Sequence, residues 1–246
     1  MRPAGGAARE PGSDASAGLA ARVKNRLVAP GRRPRRILRG ALKGVRMQLD
    51  LGHHAQVYLG TYEHEVQQLL PGLTLDAVTA VDVGAADGAY SLYFLARTAV
   101  RAVYAFEPDP AARDALLANL RLNDLDGDGR LRLSAAAAGA GGGANGIALD
   151  SLSPEIATPA VIKIDVEGHE ADVLRGAGRL LERRGISWIV ETHSTELERE
   201  CTQILEDAGL AVRVVYPAWW RFALPERRPL PHNRWLVAPD AAQDVA

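Results

Sequence analysis

The sequence predicts an α/β fold: one largely parallel sheet covered by helices on both faces. Three observations predict it. Short apolar runs alternate with segments of helical period about 10–15 residues long. The runs hold few polar residues, as strands buried on both faces do. Strand–helix–strand units of this kind close as right-handed crossovers, which yields a doubly wound sheet.

Taken in order, residues 1–18 hold Gly, Ala, Pro and Ser with no large apolar residue after Met1, so they are expected to be disordered. In 19–46, Pro30 and Pro34 interrupt a basic segment. Ile37, Leu38, Ala41, Leu42 and Val45 keep a helical period that predicts a short amphipathic helix before residue 46. A helix is expected at 61–70, stopped by Pro71-Gly72, and a strand at 78–83. Helix 89–97, strand 102–106 and helix 110–122 follow, the last with Pro110 in its first turn. Strands are expected at 131–137, 161–166, 186–191, 211–216 and 235–238, with helices at 170–182 and 196–208. The Ala/Gly run 135–143 reads as a strand end and a loop.

Of the 246 residues, 47% are apolar and 24% charged, which excludes a wholly disordered or fibrous chain. The single cysteine, Cys201, excludes an internal disulfide and a cysteine zinc site. It keeps helical spacing with Leu197, Ile204, Leu205 and Ala208 and reads as core. With no apolar leader in the N-terminal segment, a cytoplasmic location is expected. The net charge of −1 hides an asymmetry: residues 1–46 carry +10 and the rest −11. The domain reading is therefore a basic, partly disordered arm at 1–46 and a catalytic domain at 47–246.

Ligands of such sheets sit beyond the carboxyl ends of the strands, near the point where strand order reverses. The turn after the strand at 78–83 is Val81-Asp82-Val83-Gly84-Ala85-Ala86-Asp87-Gly88. Its spacing is G-x-x-x-G, so the dinucleotide fingerprint is not met. Asp82 and Asp87 would repel a pyrophosphate and suit a cationic ligand. S-adenosylmethionine carries a sulfonium and an ammonium and has no phosphate. Glu107 ends the next strand, ahead of Pro108, 23 residues after Gly84. A carboxylate there accepts hydrogen bonds from both ribose hydroxyls. Helix capping is the plainer role open to Asp82 and Glu107.

A second acidic group follows in Lys163-Ile164-Asp165-Val166-Glu167-Gly168-His169-Glu170. Glu191 and His193 end the next strand, two residues apart. Asp165, His169, Glu191 and His193 are the expected catalytic residues, as a proton acceptor with its neighbours. The same oxygen and imidazole set admits a divalent cation, although no metal is predicted. Trp219 and Trp220 beside Arg221, in the loop 217–233, fit either a stacking wall for a flat acceptor or filler at the sheet edge.

The strings VDVGAADGAYSLYFLA, YAFEPDPAARDALLANLRLN, ALDSL, VIKIDVEGHEADVLRGA and IVETHS, in that order, resemble the FkbM-like family of S-adenosylmethionine-dependent methyltransferases. The resemblance spans roughly residues 57–240 and is most specific in KIDVEGHE. It implies a Rossmann-like, seven-stranded, mostly parallel sheet with helices on both faces and an antiparallel last strand. It implies O-methylation of a hydroxyl on a sugar, polyketide or other secondary metabolite. Carried onto this chain, the cofactor set is Asp82, Gly84, Ala85, Asp87, Gly88, Glu107 and Pro108. The signature loop is Asp165, Glu167, Gly168, His169 and Glu170. The stretch 137–149 is shorter and richer in glycine than such proteins often have. The chain lacks the Pro-Pro-aromatic motif of base-amine methylation and the Pro-Cys nucleophile of pyrimidine methylation.

The expected partner is a small-molecule hydroxyl acceptor. The arm allows peripheral contact with a membrane, and nucleic acid is not the expected partner. Two other readings stay open: a nucleic-acid methyltransferase guided by the arm, and a non-catalytic cofactor-binding module at a membrane surface.

Overall fold

The computed structural model describes residues 31–141, 146–222 and 233–240. The expectation of disorder at 1–18, and residues 223–232 of the loop 217–233, lie outside them. Seven strands form one sheet. In chain order they are β3 (Thr79–Val83), β4 (Ala102–Phe106), β5 (Leu131–Ser134), β8 (Ala160–Ile164), β9 (Ile186–Thr192), β10 (Arg213–Val215) and β11 (Arg234–Ala238), while β6 (Ala137–Ala138) and β7 (Gly146–Ile147) pair in parallel outside this sheet. Across the sheet the order is β10-β11-β9-β8-β3-β4-β5. Only β11 runs antiparallel to both its neighbours. Strand order reverses between β3 and β8, so the cleft expected of a doubly wound sheet opens above these two strands.

Alternation along each strand fills two cores. Ala80, Val161, Ile189 and Val237 face one layer, and Val81, Ile162, Trp188 and Leu236 the other. Asp82 and Lys163 are exact cross-strand partners on the first face. The helix Ala89–Arg97 and strand β4 fall where the sequence puts them. The helix Pro110–Arg121 begins at Asp109, whose carboxylate accepts the Ala112 N–H at 2.9 Å. Such a cap contributes about 1 kcal/mol. Cys201 is fully buried in the helix Thr195–Asp207.

Three expectations are corrected. The predicted amphipathic helix before residue 46 is a hairpin, β1 (Arg33–Arg36) with β2 (Arg46–Leu49). The amide of Ile37 donates to Val45 at 2.8 Å and that of Gly44 to Ile37 at 2.7 Å, which closes the connection. Gly44 stands at φ +87, outside the helical range, so its lack of a Cβ decides for the turn. Ile37, Leu42, Val45, Met47 and Leu49 still reach the core, and the hairpin runs through residue 46. A helix Leu51–Leu59 follows, capped by Asp50 through the Gly52 amide at 2.8 Å, which no expectation foresaw. The helix expected at 61–70 is two short ones, His64–Gln67 and Leu70–Leu73. Pro71 opens the second, where it needs no N–H, instead of stopping the first. The helix expected at 170–182 ends at Arg175 and resumes at Gly178–Leu181. Among the described residues, no helix is long and apolar enough to cross a membrane.

Candidate functional site

Two cavities flank the turn after β3, and Gly84 lines both. The larger holds about 720 Å³ and is walled by Met47 and His54 on one side and by Asp87, Tyr90, Lys163 and Asp165 on the other. The smaller, about 300 Å³, is lined by Phe106, Pro108, Ala136, Val166 and His169. Both fall in or near the range of small-molecule sites.

The turn is forced by close approach. Gly84 has φ +74, and a Cβ there would stand 1.7 Å from the Asp165 carbonyl oxygen. Thus the glycine turn and the turn after β8 touch through their backbones. Ala86 and Glu167 hold positive φ values of 47° and 45° on the two facing turns. Non-glycine residues in that region store about 1–3 kcal/mol of strain each, and such strain gathers at functional sites.

Glu107 pins Ala86. Its two carboxylate oxygens accept the amides of Ala86 and Asp109, both at 2.8 Å, and it is 8% exposed. A carboxylate has about four lone-pair sites, so two remain for a ligand. Its neighbour Pro108 lines the smaller cavity. Asp87 lines the larger one; burial raises its pKa against the opposing pull of Arg32 and His54. A carboxyl held this way gains from a cation placed beside it.

Asp82 departs from expectation. It is fully buried beneath the turn, where Ser91 donates to it at 2.7 Å and the Lys163 ammonium lies 3.2 Å away. It therefore anchors Lys163, and does not join Glu107 as one anionic surface. Lys163, also buried, donates to the Gly84 carbonyl at 2.7 Å and lies 3.6 Å from Asp165 and 5.1 Å from the Tyr90 ring centre. Burial lowers the Lys163 pKa, but Asp82, Asp165 and Glu63 outweigh it and leave it raised. The Tyr90 hydroxyl donates to Glu63 at 2.7 Å. Lys163, Tyr90, Glu63, His53 and His54 also line the larger cavity, and no motif in the sequence marks them. For Lys163 a signal existed, because a lone lysine inside the apolar run Val-Ile-Lys-Ile demands a buried partner.

The structure brings Asp165, Glu191 and His193 together, and places Glu170 where His169 was expected. His193 Nδ1 meets Glu170 at 2.6 Å, while its Nε2 lies 3.5 Å from Asp165 and 4.0 Å from Glu191. Burial lowers the His193 pKa, yet the Glu170 bond and the surrounding carboxylates raise it overall. The converse holds at Glu170, where burial raises the pKa but His193 and the Gly168 amide prevail and lower it. Asn233 donates to Glu191 at 3.2 Å. A cation would find ligand atoms of Asp165, Glu191 and His193 within 4.8 Å of one another. A proton on His193 competes with such a cation, because an imidazolium has no lone pair to offer. His169 is exposed and faces the smaller cavity. Asp165 is the member that reaches the larger cavity, its side chain 25% exposed.

Among the described residues of the aromatic loop, Trp219, Trp220 and Arg221 line neither cavity. Trp219 is 82% exposed, and Arg221 forks onto Glu65 at 2.7 and 2.8 Å instead of facing a ligand.

Comparison with known proteins adds four findings. The model of the methyltransferase FkbM domain matches residues 143–214. Hexuronic acid methyltransferase AglP of Haloferax volcanii is 37% identical over 62 residues, 25% of this chain and 26% of that protein. The chain thus matches about a quarter of the length of this curated relative. Among solved structures, methyltransferase FkbM from Methylobacillus flagellatus superposes with a TM-score of 0.54 at 19% identity, covering 66% of this chain and 44% of that one. Precorrin 8W decarboxylase of Methanobacterium thermoautotrophicum gives 0.50 at 25% identity, covering 72% and 90%. The fold is the Rossmann-like one shared with these two structures, and the match to the FkbM domain lies in residues 143–214.

Proposed function

We propose that the chain transfers a methyl group from S-adenosylmethionine to a hydroxyl of a sugar, polyketide or other secondary metabolite. One observation carries the reading: the backbone contact between Gly84 and Asp165, which joins the cofactor turn to the signature loop where the two cavities meet. The residues fit the cofactor chemically. Glu107 has lone pairs left for ribose hydroxyls, Pro108 and Phe106 offer apolar surface for a base, and Asp87 offers a desolvated carboxyl to a cation. The sugar acceptor of the Haloferax relative and the FkbM signature support the substrate class.

When bound, the cofactor supplies an electrophilic methyl on a positively charged sulfur. The protein's part is largely positioning, the effect that makes a bound pair react as one molecule. Lys163 holds Asp165 from beneath, and His193, itself fixed by Glu170, holds it from the side. Asp165 then faces the cavity with an oxygen able to take the acceptor's hydroxyl proton as the new O–C bond forms.

Titration calorimetry with S-adenosylmethionine tests the reading. Binding is expected for the native chain, with Glu107→Ala weakened at least tenfold, as the loss of about 1.4 kcal/mol of hydrogen bonding requires. Absence of heat, or equal affinity in Glu107→Ala, defeats it.

A further inference from the structure

We propose that the hairpin of residues 33–49 seats the chain on an anionic phospholipid surface. Residues 31–49 contain seven bases and no acid. Arg33, Arg36, Arg39, Lys43 and Arg46 are exposed, and none forms an ion pair among the described residues. The register sets Arg36 directly opposite Arg46. Like charges so placed destabilise a strand pair, and an anion between them reverses the sign. This face is thus costly to the free protein and rewarding against a polyanionic plane.

Apolar groups stand beside the charges. Leu38 follows Arg36 by two residues and is 46% exposed. Its amide donates to the Tyr58 carbonyl at 3.0 Å, which brings the hairpin to Leu59, 47% exposed. Leucines bordered by arginines fit the boundary between headgroups and acyl chains. The described hairpin has no aromatic residue on which bases would stack, so the pattern favours lipid over single-stranded nucleic acid.

The face is also rigid. Ile37, Val45, Met47 and Leu49 are buried beneath it. Asn119 and Asn123 accept the amides of Gln48 and Arg46 at 2.8 and 2.9 Å. Binding therefore costs little ordering of the backbone. Leu42 and Met47, on the inner side, line the larger cavity, so docking brings that wall close to the membrane.

Cosedimentation of the full chain tests this, with phosphatidylcholine vesicles and with the same vesicles doped with phosphatidylglycerol. Retention is expected on the doped vesicles alone and falls with salt. Arg36→Gln with Arg46→Gln weakens it roughly 25-fold, at about fivefold for each charge near the surface. Arg36→Lys with Arg46→Lys keeps it, and Leu38→Ser lowers the part that survives high salt. Equal retention on both vesicle types, no retention, an unchanged double Gln variant, or displacement from vesicles by an RNA oligonucleotide overturns the proposal.

Discussion

His193 is surrounded by carboxylates from three elements, and its environment decides its charge. Glu170, Asp165 and Glu167 favour the imidazolium, and the net shift is upward from 6.5. Its stabilising contribution is therefore complete below 6.5 and is lost as pH rises through the folded value. Glu170 shifts downward from 4.5, so its contribution is complete above 4.5 and is lost as pH falls through its folded value. The pair is worth most between those two reference values. His193→Gln is expected to lower the melting temperature most near pH 5–6, with the difference narrowing towards pH 9. A difference that stays constant with pH would contradict this account. The same residue illustrates what a sequence conceals. Glu191 and His193 were legible as strand-end neighbours, but Glu170 was legible only as a member of the signature loop, with no partner named. Its bond to His193 spans 23 residues and depends on how β8 and β9 pair.

At the scale of elements, the turn after β3 is the most constrained piece. Gly84→Ala must displace the Asp165 carbonyl and hold Ala at positive φ. A loss above about 2 kcal/mol and of cofactor binding is expected, since backbone cannot yield as a side chain does. Ala86→Gly is the matching control. It relieves φ +47 and is expected to be neutral or mildly stabilising in urea unfolding, by up to about 1 kcal/mol. Elements with strong local signals were read well from the chain. The helices Ala89–Arg97 and Thr195–Asp207 and strand β4 have clean periodicity and clear ends. The hairpin is not legible in the sequence, because Ile37, Leu42 and Val45 fit a helical period as well as they fit the buried side of a turn. Tertiary burial, with Gly44 at positive φ, selected the turn.

For the whole molecule, one link ties the C-terminal part to the segment before the sheet. Arg221, 8% exposed, grips Glu65 with two bonds and the Thr61 carbonyl with a third at 2.8 Å. Burial raises the Glu65 pKa, but Arg221 and the Ala218 amide prevail and bring it to about 2. The link is thus complete above pH 4.5 and lost as pH falls towards 2. Arg221→Met leaves a largely buried carboxylate and is expected to cost on the order of 2–3 kcal/mol at neutral pH. In denaturant unfolding the gap to the native chain should close on acidification below pH 4.5. A gap that persists at pH 2 would assign the cost to lost packing.

By itself the sequence determined the strand and helix alternation, the carboxyl-end positions of Gly84, Glu107 and Asp165, and the burial of Cys201. These follow from apolar period, caps and glycine spacing, which are local properties of the chain. Tertiary structure alone decided that Asp82 faces Lys163, that Glu170 and not His169 joins His193, and that a hairpin walls the cavity. Each depends on which residues meet across about 20 to 80 positions of chain, and such meetings are set by strand register and core packing.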